Sequence, residues 1–207
     1  MTTTATSTTT PAAALDPIPI EFNAARHEYR VRGLLFPSVT TILHELGAID
    51  DRYYTEECAR RGDAVHLATA AIDQQLASPA DFPDDIQPYL ESWVQLKRMA
   101  GIEILRIEDR VASIEYGYAG TVDRIARIGK QHAVLDFKTG GKERWHALQT
   151  AAYAACPILP GVPLLHRFAV YLRRNGAAAL LDPHTNRNDI AVFRAGVLFA
   201  NWLRKTA

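Results

Sequence analysis

Thiols are scarce: two cysteines, Cys58 and Cys156, stand among 207 residues. They lie far apart and follow no metal spacing, so a structural zinc or iron–sulfur site would need more thiolates than the chain has. Both are expected to be reduced residues of the core. No apolar run approaches the roughly 20 residues that span a bilayer, so no membrane helix is expected. Net charge is also missing, with 23 basic and 23 acidic residues. A protein that coats nucleic acid by bulk charge would be more basic, so any such binding must use a local patch. The opening MTTTATSTTTPAAA has neither a basic n-region nor an apolar h-region, so a secretory signal is not expected and a cytoplasmic setting is. Residues 1–17 read as a disordered tail rich in Thr and Ala. What remains, with 48% hydrophobic and 22% charged residues, is an ordinary globular composition, expected to form one domain over 18–207.

Residues 18–22 and 29–35 read as strands around a polar turn at 23–27. Ser38 is placed to cap a short helix that carries Val39, Ile42 and Leu46 on one face and ends at Gly47. Asp50 or Asp51 would cap a longer helix to about Leu76, in which Tyr54, Cys58, Val65, Ala68 and Ile72 keep helical spacing. After a loop over 78–83, a helix over 84–100 buries Ile86, Leu90, Trp93, Val94 and Leu96. The period then changes to two. Strands are expected from 102 to about 111, over 120–128 and over 131–139. Gly140-Gly141 breaks the sheet before a helix over 142–155. Residues 168–172 form a strand that 177–181 could pair with across Asn175-Gly176, and 188–204 form a closing helix. The order predicts an α/β fold with a mixed sheet.

The chemistry concentrates in 120–140, GTVDRIARIGKQHAVLDFKTG. Gly129-Lys130 suits a two-residue type II′ hairpin loop, with glycine in the first loop position. Ile128 then faces Gln131, and every directly paired couple has numbers summing to 259. Asp123 and Asp136 satisfy that sum, which makes them cross-strand neighbours on one face with Cβ atoms about 4.5–5.5 Å apart. Lys138 lies two residues on, so it shares that face. Two such carboxylates repel, and a hard divalent cation between them removes the conflict. A neighbouring lysine can hold the attacking water and stabilise phosphate charge. The combination fits metal-assisted hydrolysis of a phosphodiester. The plainer reading is a surface hairpin with solvated ion pairs, against which stand the apolar neighbours Val134, Leu135 and Phe137.

G-T-V-D, D-F-K-T-G and Gln149-x-x-x-Tyr153 together resemble the PD-(D/E)xK nuclease superfamily, in particular its RecB-type exonuclease branch. Residues 61–66, R-G-D-A-V-H, resemble that branch's R-G-x-x-x-H helix. Pro37-Ser38-Val39-Thr40 is similar to a segment of phage members and of the mitochondrial genome-maintenance exonuclease. These motifs cover about 37–153. The resemblance implies a restriction-endonuclease-like core, a central mixed sheet flanked by helices. It implies Mg²⁺ or Mn²⁺ held by His66, Asp123, Asp136 and the Phe137 backbone carbonyl, with Glu108 as an additional acidic residue. Lys138 would be the catalytic lysine. Gln149 and Tyr153, four apart on one helix face, would support the site and contact the substrate strand, with Arg61 and the adjacent His146. Val122 replaces the proline of the family's name, and the cysteine set of cluster-bearing relatives is absent, so no iron–sulfur cluster carries over.

Lys142, Arg144, Trp145 and His146 follow directly on the lysine motif, and Arg167, Arg173 and Arg174 flank the next strand. Basic groups of this kind engage phosphates, and an aromatic ring can stack on an unpaired base. The expectation is a deoxyribonuclease, an exonuclease acting on single-stranded ends in replication, recombination or repair inside a bacterial or phage-infected cell. A helicase, recombinase or single-strand-binding protein would supply unwinding or recruitment, since no helicase motif is present. The rivals are a nuclease-fold DNA-binding module without activity and a hydrolase of small phosphate esters.

Overall fold

The computed structural model describes residues 19–50, 52, 55–159, 162 and 165–206. The tail expected over 1–17 lies outside the described residues, as do Ile18, Asp51 and Tyr54, which the sequence reading placed in elements.

The chain opens with a small antiparallel sheet, β1 (Ile20–Asn23), β2 (Glu28–Val31) and β3 (Leu34–Phe36). One strand was expected over 29–35, but Arg32 and Gly33 both take positive φ, 51° and 79°. That turns the chain back in two residues, so Val31 faces Leu34. The next helix, α1 (Val39–Glu45), starts where its cap predicts: the Ser38 side chain accepts from the Thr41 N–H. For α2 (Glu56–Asp73) the cap is Thr55 instead of Asp50 or Asp51. Its side chain accepts from the Cys58 N–H, and Glu56 and Glu57 complement the helix dipole in the first turn. A 3₁₀ turn (Pro79–Asp81) sits in the loop, and α3 (Gln87–Met99) follows.

The main sheet holds β4 (Ile102–Ser113), β5 (Tyr118–Ile128), β6 (Gln131–Lys138), β7 (His166–Tyr171) and β8 (Leu180–Pro183), in that spatial order. Only β6 and β7 run parallel, and α4 (Trp145–Ala154) makes the crossover between them. The last helix is α5 (Asp189–Thr206). The α/β class with a mixed, helix-flanked sheet is therefore observed. The β7–β8 connection is longer than a tight turn at Asn175-Gly176, because Tyr171 pairs with Leu180 and the Ala179 N–H goes to the Ser92 carbonyl on α3. Among the described residues no helix is long and apolar enough to cross a membrane.

Two apolar layers sandwich the sheet. Ile42, Leu43, Ala152, Phe193 and Val197 of α1, α4 and α5 pack on Val122, Ile125 and Val134. On the other face Val65, Leu90 and Trp93 of α2 and α3 pack on Ala126, Leu135 and Phe137. The small sheet covers the far end of the β4–β5 hairpin through Tyr29 and Val31 against Ala112 and Ala119. Val122 and Ile125 face the same layer although they are three residues apart. The two-residue period of β5 therefore slips at Asp123–Arg124. Just beyond that slip, opposite Ile125 and Ala126, β4 carries its own irregularity, with Leu105 left over between two registers.

Candidate metal centre

The β5–β6 hairpin has the register that a Gly129-Lys130 loop requires: Ile128 faces Gln131, and the ladder continues to Arg124 opposite Leu135. Gly129 has φ +59°, while Lys130 does not take positive φ, as a type II′ turn demands. One step beyond Arg124 the ladder stops. The Phe137 N–H donates there to the Asp123 side chain, Oδ2, at 2.5 Å instead of to β5 backbone. The Lys138 carbonyl accepts from Leu172 after β7, so by strand alternation the Phe137 carbonyl points away from β7, into the opening beside Asp123.

His66 reaches this opening from α2, its Nδ1 lying 3.2 Å from Asp123 Oδ1. Glu108 comes from β4, where it is the residue between the couples Ile107–Arg124 and Asp109–Val122 and so stands opposite Asp123. Its backbone is left-handed, φ +49°, a conformation that costs a non-glycine residue of order 1 kcal/mol or more and is tolerated where surroundings impose it. One ligand atom from each of His66, Glu108 and Asp123 lies within 4.8 Å of the others. Neighbouring ligands around an ion with bonds of about 2.1 Å are about 3 Å apart and opposite ones about 4.2 Å, so small side-chain adjustments suffice to close the three on a cation.

Asp136 is 2% exposed, stands outside that trio, and is close enough to Asp123 for their charges to act on one another. Its Oδ2 is buried and has no hydrogen-bond donor among the described residues: Lys138 Nζ is 2.7 Å away but not in hydrogen-bonding geometry. Burial, together with the Asp123 charge, outweighs Lys138 and raises the Asp136 carboxyl to about 6. Glu108 is pushed up to about 7, by burial first and then by Asp123. Burial works the other way on His66, but the Asp123 charge and hydrogen bond overcome it and raise the imidazole to about 9. Asp123 pays the same desolvation, yet His66, Lys138 and the Phe137 N–H hold its carboxyl below the ordinary value. A buried carboxylate paired with a single ammonium, beside two further carboxylates and an imidazole, is a donor set suited to a divalent cation.

Lys138 is anchored on its other side. Its Nζ donates to Gln149 Oε1 at 2.8 Å and lies 4.9 Å from the Trp145 ring centre. Gln149 Nε2 donates in turn to the Tyr153 hydroxyl at 3.2 Å. Both α4 side chains are buried, and the Tyr153 ring comes close to β5 because residue 120 has no side chain: a Cβ there would meet Tyr153 Cε1 at 2.7 Å.

Other residues singled out in the sequence fall further away. His146 is buried, with Nδ1 bonded to the Tyr171 hydroxyl at 2.8 Å, and burial with nearby Lys138 drops its pKa to about 3. Lys142 pairs with Asp182 at 2.8 Å, and Arg144 is exposed just before α4. Arg61 is half-buried on α2 and touches Cys58 Sγ. Pro37-Ser38-Val39-Thr40 is structural: Ser38 caps α1, and the Pro37 carbonyl accepts from the Ala119 N–H of β5.

Sequence reasoning passed over Arg124. It is fully buried, donates to Glu108 Oε1, the Asp123 carbonyl, Asp73 and Thr69, and lies 4.9 Å over the Phe137 ring. The available signal was an arginine directly after a ligand candidate, in the middle of the strand from Tyr118 to Ile128. No protein-family model matches the chain, and no curated protein is significantly similar to it.

Proposed function

We propose that the chain is a metal-dependent deoxyribonuclease of the PD-(D/E)xK type, related to the RecB-type branch, that hydrolyses DNA phosphodiester bonds as an exonuclease on single-stranded ends. The observation that carries this reading is the convergence of His66, Glu108 and Asp123 within 4.8 Å, beside the buried Asp136 carboxylate, whose Oδ2 is contacted by the Lys138 ammonium alone among the described residues. Mg²⁺ or Mn²⁺ there would be held by His66, Asp123, Asp136 and the Phe137 carbonyl, with Glu108 at the mouth, and supplies charge neutralisation and Lewis-acid polarisation of a phosphoryl oxygen.

The rest belongs to the side chains. Gln149 takes one of the three ammonium protons of Lys138 and the Asp136 carboxylate lies beside another, which leaves a donor for a nucleophilic water or for charge developing on phosphate. Tyr153 supports Gln149, and Arg124 holds the Asp123 backbone and the Glu108 carboxylate in place. Trp145, half-buried beside Lys138, offers an aromatic surface to an unpaired base.

Digestion of circular and end-labelled linear DNA, single- and double-stranded, with Mg²⁺, Mn²⁺ or chelator, tests this directly. Expected is metal-dependent shortening of linear single strands, with circles left intact. Binding without cleavage in either metal would make the chain an inactive nucleic-acid-binding module. Cleavage confined to small phosphoesters would make it another kind of phosphoesterase.

A further inference from the structure

Three arginines converge on a groove outside the metal centre. The groove, about 350 Å³, lies between the first half of α2 and the turn before α3, and is lined by Arg60, Arg61 and Arg174 together with Glu57 and Asp85. Arg61 Nε is buried and has no hydrogen-bond partner among the described residues; the guanidinium's one hydrogen bond there is a weak one, Nη2 to Cys58 Sγ at 3.4 Å. Neither Arg60 nor Arg174 forms an ion pair among the described residues, and Glu57 and Asp85 stay beyond ion-pairing distance of all three. A buried guanidinium nitrogen without an acceptor is costly, and an oxyanion that fits the planar fork removes the cost.

The position identifies the anion. Arg61 precedes His66 by five residues on α2, about 7.5 Å along the axis at 1.5 Å per residue. Arg174 follows β7 just past Leu172, whose N–H bonds the Lys138 carbonyl. The groove therefore opens at the end of the sheet where Asp136 and Lys138 sit, on the α2–α3 side. Lys142 and Trp145 occupy the opposite, α4 side, and Lys142 is already paired with Asp182. A strand laid across Lys138 from α4 meets these arginines next.

We propose that the groove of Arg60, Arg61 and Arg174 is a second phosphate site, which grips a backbone phosphate of the polynucleotide on the α2 side of the bond being cleaved. The proposal rests on the nuclease reading above and fixes the path of the strand over the sheet end. Arginine forks bind phosphate bidentately, so the groove sets register along the strand without reading bases.

The test compares the wild-type chain with the double variant Arg60→Ala/Arg174→Ala, both sites being exposed, after circular dichroism confirms the fold. The probes are fluorescent (dT)12, bound in Ca²⁺ and cleaved in Mn²⁺, and bis(p-nitrophenyl) phosphate, too short to reach the groove. Expected for the variant is a KM for (dT)12 raised about tenfold, the worth of one charged hydrogen-bond set. The slope of log K against log salt should become shallower by about 0.7, one phosphate on a single strand. The kcat on (dT)12 and the rate on the small diester should stay within about twofold, since the reacting centre is untouched. Unchanged KM and salt slope, with (dT)12 still cleaved, would overturn the groove alone. Failure of the wild-type chain to cleave (dT)12, whatever it does to the small diester, would overturn the nuclease reading and this inference with it.

Discussion

Asp73 Oδ2 accepts from Arg124 Nε at 2.7 Å, and neither side chain has any exposed surface. The same carboxylate accepts from Trp93 Nε1 at 3.0 Å and from Lys97 at 2.5 Å, so one acid at the end of α2 ties α3 and β5 together. Removing it would leave the buried Arg124 only the half-exposed Glu108 as a carboxylate partner and take the acceptor from Trp93 and Lys97, and breaking a buried pair typically costs about 3–5 kcal/mol. Asp73→Ala is expected to lose stability on that scale in urea unfolding. A loss below about 1 kcal/mol would show that Glu108 alone suffices to hold Arg124.

Asp136→Asn separates stability from activity. The folded-state pKa of Asp136 is raised to about 6, so its contribution to stability is full below the ordinary carboxylate value near 4 and is lost as pH rises through 6. Asparagine mimics the neutral acid at every pH. The metal-free variant should therefore melt roughly 5–10 °C above wild type at pH 7.5, for a gain of about 2–3 kcal/mol, and the difference should vanish near pH 4. Mg²⁺-dependent cleavage should be abolished. Normal turnover by the folded variant would remove Asp136 from the site.

His66 supplies a pH signature. At about 9 its folded pKa keeps the imidazole charged at neutral pH, stabilising the metal-free fold below about 6.5 and losing that effect as pH rises through 9. A cation needs the neutral ring, so binding should release about one proton and tighten up to tenfold per pH unit between about 7 and 9. Calorimetry in two buffers of different ionisation enthalpy measures the proton count. Binding without proton release would exclude His66 as a ligand.

Lys138→Ala should fail in a different way. The lysine holds water and phosphate charge and is not a ligand, so cleavage should drop about 10²–10⁴-fold. Metal affinity should persist or rise, because a positive neighbour of Asp136 and His66 has gone. Collapse of metal affinity in this variant would recast Lys138 as a support that shapes Asp136.

An imidazole among the ligands also orders the metals. Nitrogen donors favour later, softer ions, so Mn²⁺ should bind more tightly than Mg²⁺. Substituting His66 by Ala should narrow that preference. An unchanged Mn²⁺/Mg²⁺ affinity ratio would again argue against the imidazole.

The hairpin was legible because a two-residue loop leaves one register, and Gly129 marks where it turns. Ser38 as a cap was legible for the same local reason, while Asp50 or Asp51 was expected to cap the next helix and Thr55, followed by Glu56 and Glu57, does so instead. What escaped was non-local. Nothing in the pattern announces the leftover Leu105 of β4 or the left-handed Glu108, since both arise from how β4 and β5 must bend around Asp123. Arg124 and Asp73 read as ordinary charged residues, and only packing of α2 on the sheet shows them to be a buried pair. Arg32, too, gave no warning of positive φ, which split one expected strand into two.

The contact between Tyr153 and Gly120 joins two short motifs that lie 33 positions apart in the chain. A methyl group at position 120 would displace the ring on which Gln149 rests, and Gln149 in turn steadies Lys138. The two positions should therefore be inherited as a unit. In lineages descended from this chain, an alanine at 120 should occur only where 153 has shrunk, and drift at one position should open the other to change.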